Sequence, residues 1–155
     1  MTRFDGELAT LIDDMVETMD AAPGVGLAAQ QVGVDLQVCV IRVRGHLYEA
    51  VNPRIVRRSG EEDAWEGCLS LPGFRANRRR AAHATMLAQD RTGRRIRISG
   101  HGELARAIQH EFDHLQGEVY TDGLPEGAEI LSEEELDARF EETRGQRRRK
   151  RPAFD

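Results

Sequence analysis

Residues 104–115 read Leu-Ala-Arg-Ala-Ile-Gln-His-Glu-Phe-Asp-His-Leu. Leu104, Ala107, Ile108, Phe112 and Leu115 recur at helical spacing, and Gly117 follows as a stop. On that helix His110 and His114 stand four residues apart, on one face and one turn above the other. Two imidazoles so placed reach a single metal ion, and Glu111 between them projects beside it as a general base. Taken alone, the same spacing also suits two polar surface histidines. The apolar flank favours the metal, because it buries one side of the helix and leaves the other to line a cleft.

Upstream, residues 66–70 read Glu-Gly-Cys-Leu-Ser. A lone cysteine among small and apolar residues is ordinarily core packing. Beside a two-histidine helix it becomes a third ligand. One thiolate (Cys68) and two imidazoles (His110, His114) leave a fourth position open to water. A cation there acidifies that water, and Glu111 takes its proton and passes it on. Further upstream, residues 24–31 read Gly-Val-Gly-Leu-Ala-Ala-Gln-Gln. This is no nucleotide loop: the third glycine is absent and no Lys or Ser/Thr follows for a phosphate. The glycines allow close backbone approach instead. Gln31 adds an amide donor, suited to the negative charge that amide hydrolysis builds on a carbonyl oxygen.

Around these segments the patterning predicts a helix capped by Asp5 and running to Ala22. Its apolar stripe is Leu8, Leu11, Ile12, Met15, Val16 and Met19. Strands follow over 37–43 and 47–51, with a break at Asn52-Pro53 and resumption over 54–58. Residues 82–90 and 94–99 form a further strand pair turned at Arg91-Thr92-Gly93. Ser132-Glu133-Glu134-Glu135 opens a short charged helix to Arg144. The order predicts an α+β fold, with mostly antiparallel sheets packed around a central metal-binding helix.

A chain of 155 residues suits one principal domain. We expect it to occupy 1–125, with a charged helix and partly disordered basic tail over 126–155. The net charge of −5 hides an asymmetry, because all the charges from Arg144 to Arg151 are basic. The tail is either solvated or a contact for RNA phosphates. No run is apolar enough to span a membrane, the N-terminus lacks a secretory core, and Cys39 and Cys68 are too few for a disulfide framework. A cytoplasmic location is the expectation. Cys39 reads as core, and His46, His83 and His101 as surface or strand residues.

The three segments together resemble the signature motifs of peptide deformylase: G-x-G-x-A-A-x-Q, E-G-C-x-S and Q-H-E-x-D-H. Here they are Gly24–Gln31, Glu66–Ser70 and Gln109–His114, in the family's order. The resemblance reaches from the first helix to Asp122. It implies that Cys68, His110 and His114 bind one divalent ion, Fe2+ physiologically, with Zn2+, Ni2+ or Co2+ as substitutes. It implies Glu111 as acid/base, and Gln31 with the Leu69 backbone N–H as holders of the oxyanion. Val25, Gly26 and Gly67 would pair with the substrate backbone like an added strand. Arg75 and Asp113 would be structural. The implied substrate is the formyl-methionine end of a nascent chain, released as formate and a free amine by a monomeric enzyme. A paralogue acting on another formylated amine and a non-catalytic ribosome-associated relative are the rival readings. Two departures stand out. The family has a Pro-rich segment ahead of the first helix that this sequence does not show, so an open sheet edge is expected. Glu103 stands where the family generally has an apolar residue near the substrate side-chain pocket.

Overall fold

The computed structural model describes residues 3–22, 24–68, 70–122 and 124–149, with side chains to Gln146. In chain order the elements are α1 (Gly6–Ala21), β1 (Gly26–Ala28), a 3-10 turn (Ala29–Val32), β2 (Val38–Val43), β3 (His46–Ser59), β4 (Glu62–Cys68) and β5 (Leu71–Arg80). Then come β6 (His83–Gln89), β7 (Arg95–His101), α2 (Gly102–Leu115), β8 (Ile130–Ser132) and α3 (Glu133–Arg149). The strands form two antiparallel sheets, ordered β1-β2-β3-β6-β7 and β4-β5-β8. The fold is α+β, as the patterning implied.

The larger sheet lies between α1 and α2, and β2 shows why. Val38 and Val40 turn to one face and join Leu8, Ile12, Met15 and Met19 of α1. Cys39, Ile41 and Val43 turn to the other and join Ala105, Ala107, Ile108 and Leu115 of α2. A strand covered on both faces reads as a continuous apolar run rather than an alternation. Each fully buried Val, Leu, Ile or Met among them contributes about 1.5–3 kcal/mol. Asp5 caps α1 by accepting the Leu8 N–H at 3.1 Å.

Two expectations need correction. Asn52-Pro53 does not break the strand: β3 is continuous over 14 residues and carries a bulge there. Asn52 takes φ 51°, which Asn tolerates better than most residues, and its N–H donates to Gln37 O at 2.8 Å. Pro53, with no N–H to give, sits where the ladder skips. The charged helix runs on to Arg149 instead of stopping at Arg144. Its carboxylates fill the first turn and its cations the far end, the arrangement a helix dipole favours. Beyond Arg149 the tail lies outside the described residues. The β4–β5 hairpin and β8 went unforeseen.

Candidate metal centre

The last turns of α2 face the end of β4. Cys68 Sγ lies 3.2 Å from His114 Nε2, which lies 3.1 Å from His110 Nε2. The three donor atoms fall within 4.8 Å of one another. His110 Nδ1 meets Glu66 Oε1 at 2.9 Å. A carboxylate only accepts, so Nδ1 carries the hydrogen and Nε2 is left for a ligand. A thiolate and two Nε2 atoms, one of them oriented by a carboxylate, are a donor set that fits a tetrahedral divalent ion with one position open.

The electrostatics agree. Burial alone would raise the Cys68 thiol, but hydrogen bonds from His110, His114 and the Ser70 N–H bring it down to about 5. Burial opposes charge on His110, yet Cys68 and Glu66 raise it to about 10. The pair therefore competes strongly for a positive charge, and a divalent cation can serve in place of that proton. Glu111 is pushed up to about 7, first by burial, against the pull of His110 and His114. It is 3% exposed, and its Oε2 has no hydrogen-bond partner among the described residues. A buried carboxylate oxygen left unpaired is costly unless something else meets it, so it is a second observation that fits a loaded site.

Gln31 sits in the 3-10 turn with its orientation fixed. Its Oε1 accepts the Ala28 N–H at 2.9 Å, so Nε2 is the end that faces Ser70 Oγ at 3.0 Å and Cys68 Sγ at 3.6 Å. Gly26 is required by its neighbour: a Cβ there would lie 2.5 Å from Glu111 Oε1. Gly67 is crossed by Arg75, whose guanidinium carbon would lie 3.1 Å from a Cβ. Arg75 pairs in turn with Glu133 at 3.5 Å, at the start of α3. The Val25 carbonyl accepts the Arg42 N–H at 2.7 Å, so it is engaged within the sheet. Leu69 lies outside the described residues. Glu103 is exposed in the first turn of α2, where its charge suits the helix start.

Sequence reasoning missed the frame behind this centre. Arg80 is 4% exposed at its side chain and donates to both Glu66 oxygens, at 2.7 and 2.9 Å, and to Asp113 at 2.7 Å. Arg106 adds 2.6 Å to Glu66 and also holds the Arg78 and Glu62 carbonyls. Burial would raise Glu66, but His110 and Arg80 hold it at about 2. Gln109 clamps α2 to the Ala81 backbone through its N–H and carbonyl. Tyr120 stacks on His110 with centroids 6.1 Å apart and donates to the Phe74 carbonyl. The one signal available beforehand was the run Arg78-Arg79-Arg80 in a chain whose motif carries an otherwise unexplained Glu66. Asp113 is structural in this frame. Cys39 is wholly buried, with its thiol pushed up by that burial.

Residues 1–129 match the family model described as polypeptide deformylase. A peptide deformylase of Symbiobacterium thermophilum is 46% identical over 125 residues, covering 79% of this chain and 58% of that protein. One from Heliobacterium modesticaldum is 46% identical over 122 residues, covering 79% and 81%. Among solved structures, a peptide deformylase from Legionella pneumophila superposes with a TM-score of 0.78 at 40% identity, covering 98% of this chain and 89% of that one. One from Synechococcus elongatus, in complex with actinonin, gives 0.77 at 36%, covering 92% and 75%.

Proposed function

This chain belongs to the peptide deformylase family, metal-dependent hydrolases that remove the N-formyl group from nascent polypeptides, and we propose that it does so at the centre formed by α2 and β4. The observation that carries this is the convergence of Cys68, His110 and His114 beside an unpaired, buried Glu111 Oε2.

Cys68, His110 and His114 would hold the divalent ion. When bound, that ion supplies Lewis acidity, which makes water a nucleophile at neutral pH. Glu111 takes the proton at Oε2 and returns it to the departing amine nitrogen; its raised affinity for protons near neutrality suits both halves of that task. Gln31 Nε2, fixed by Ala28, donates to the carbonyl oxygen as it gains charge, together with the Leu69 N–H. Fe2+ is the physiological ion in this reading, on the family resemblance, since cysteine and histidine also accept Zn2+, Ni2+ and Co2+.

The substrate lies along two strand edges. β1 and β4 each stand at one edge of their sheet, with β7 and β8 at the other edges. Because Val25 pairs inward to Arg42, alternation along β1 turns the Gly26 N–H and C=O outward to the open edge. Gly26 and Gly67 are thus the backbone partners of an extended peptide, and Val25 offers its 40% exposed side chain instead. No helix among the described residues is long and apolar enough to cross a membrane. A monomer in the cytoplasm, with Arg144–Arg151 set against ribosomal RNA phosphates, completes the proposal.

Formate release from formyl-Met-Ala by the metal-loaded protein tests it, with an unformylated internal peptide as control. Glu111→Gln is expected to keep its metal and lose about 10²–10⁴ in rate. A loaded protein that releases no formate would refute the catalytic reading. Turnover of other formylated amines in preference to formyl-Met-Ala would select the paralogue. Metal analysis after anaerobic purification identifies the ion.

A further inference from the structure

Behind α2, on the side away from β1, lies a polar cleft of about 340 Å³. It sits where the chain crosses between the two sheets, beside the β3–β4 turn at Gly60-Glu61 and the β5–β6 connection at Ala81. Four arginines border it, Arg58, Arg78, Arg79 and Arg80, together with Glu61 and Asp113. Their engagements differ. Arg80 is consumed by Glu66 and Asp113. Arg79 is held by Asp63, with Glu61 at 3.6 Å. Arg78 gives one N–H to the Tyr120 carbonyl and stands 3.7 Å from Asp113, which Arg80 has already claimed at 2.7 Å. Arg58, at the end of β3, is exposed and has no acidic partner within ion-pair distance among the described residues.

The arginines are therefore unevenly matched: Arg58 has no acidic partner among the described residues, and Arg78 shares Asp113 with Arg80. Burial and the nearness of Arg80 both make charge on Arg78 less favourable than usual, a penalty that an anion would relieve. Guanidinium forks match the tetrahedral oxygens of phosphate, and such charge-assisted bonds are among the stronger contacts a polar cleft can make. We propose that this cleft is a binding site for a phosphate-bearing anion, held between Arg58 and Arg78 with Arg79 at the rim. It is separate from the formyl-binding edge and does not depend on the catalytic reading. An anion that drew Arg78 away would leave Asp113 wholly to Arg80, so occupancy is linked to the frame behind His110.

Titration of the metal-loaded full chain with inorganic phosphate, and separately with a short oligouridine, tests the site at constant ionic strength by calorimetry. Arg58→Glu and the milder Arg58→Gln are compared with Arg95→Glu, an exposed strand residue lining no part of the cleft. Saturable binding that weakens at least about tenfold in both Arg58 variants and is kept in Arg95→Glu supports the site. The ligand that shows this behaviour identifies the source, free phosphate or nucleic-acid phosphodiester. Binding that survives Arg58→Glu, as phosphate on the catalytic ion would, overturns the proposal. So does an equal loss in Arg95→Glu, which would report bulk charge alone, or the absence of saturable binding of either ligand.

Discussion

The two sheets of this protein are held to the metal helix by opposite chemistry. The β1-β2-β3-β6-β7 sheet meets α2 through Cys39, Ile41, Met86, Ile98, Ile108 and Leu115, a contact with scarcely a polar atom in it. The β4–β5 hairpin meets the same helix through Glu66, Arg80, Arg106, His110 and Asp113, a contact made of charge. The hydrophobic contact is forgiving of direction and decides that the chain folds. The ionic one is directional, and it sets the ring of His110 and the position of Cys68 with an accuracy that apolar packing does not impose. The protein places its ligands with the second and pays for order with the first.

Breaking the ionic contact should have the larger effect. Arg80→Met leaves Glu66 and Asp113 buried without their main partner, and loss of one member of a buried pair costs about 3–5 kcal/mol. The midpoint of chemical denaturation should fall accordingly, and metal per chain in the purified protein should fall with it, because His110 loses its fixed acceptor. Replacing Arg80, Glu66 and Asp113 together by apolar residues of like volume sharpens the comparison. Stability should largely return, since apolar replacements of buried ion networks are often tolerated, while metal retention should not. A triple variant that held metal as well as the parent would show that the frame is stabilising only.

Breaking apolar packing on the other face of the same sheet should reach a similar stability cost and spare the metal. Ile12 is wholly buried between α1 and the large sheet, on the side away from the metal. Ile12→Ala should destabilise by about 2–5 kcal/mol through lost transfer energy and the cavity left behind. Metal per folded chain should not change. A loss of metal in this variant at temperatures where it stays folded would join the two regions that the comparison separates.

How much could be read beforehand follows the same division. Everything held by apolar pattern was legible: α1 from Leu8, Ile12, Met15 and Met19, β2 from its unbroken Val-Cys-Val-Ile, the β6–β7 hairpin, and α2. Two of the three motif segments, scattered along the chain, named the residues whose donor atoms converge: Cys68, His110 and His114. What escaped was held by charge. β4 begins Glu62-Asp63 and β5 ends Arg78-Arg79-Arg80, and no strand pattern stands out in such residues, because their partners lie across the sheet or on α2. Asn52-Pro53 misled for a local reason: the pair that ends strands also builds bulges, and only the register of β6 decides which.

A smaller effect belongs to the cap of α1. Asp5 satisfies one N–H of the first turn, and Asp5→Ala should cost about 1 kcal/mol, read from the same denaturation midpoint. Activity per folded molecule should stay as it was, because the cap stands two layers from the metal helix.

The smallest effect is the most instructive, because it falls on a neighbour of the largest. Arg79 and Arg80 are consecutive and chemically identical, and alternation along β5 sends them to opposite faces. Arg80 turns inward to Glu66 and Asp113; Arg79 turns outward to Asp63, with both side chains at least half exposed. The outer pair is bidentate, at 3.0 and 3.1 Å, so geometry alone would rate the two arginines alike. Solvent decides otherwise, since water and salt screen an exposed pair and the two long side chains lose freedom in forming it. Arg79→Ala should leave both the denaturation midpoint and the metal content at the parent's values, at low and at physiological salt. A clear loss of stability at low salt that disappears as salt is added would show the outer pair to be part of the hairpin's ionic contact. The boundary between the two regions would then move outward by one residue.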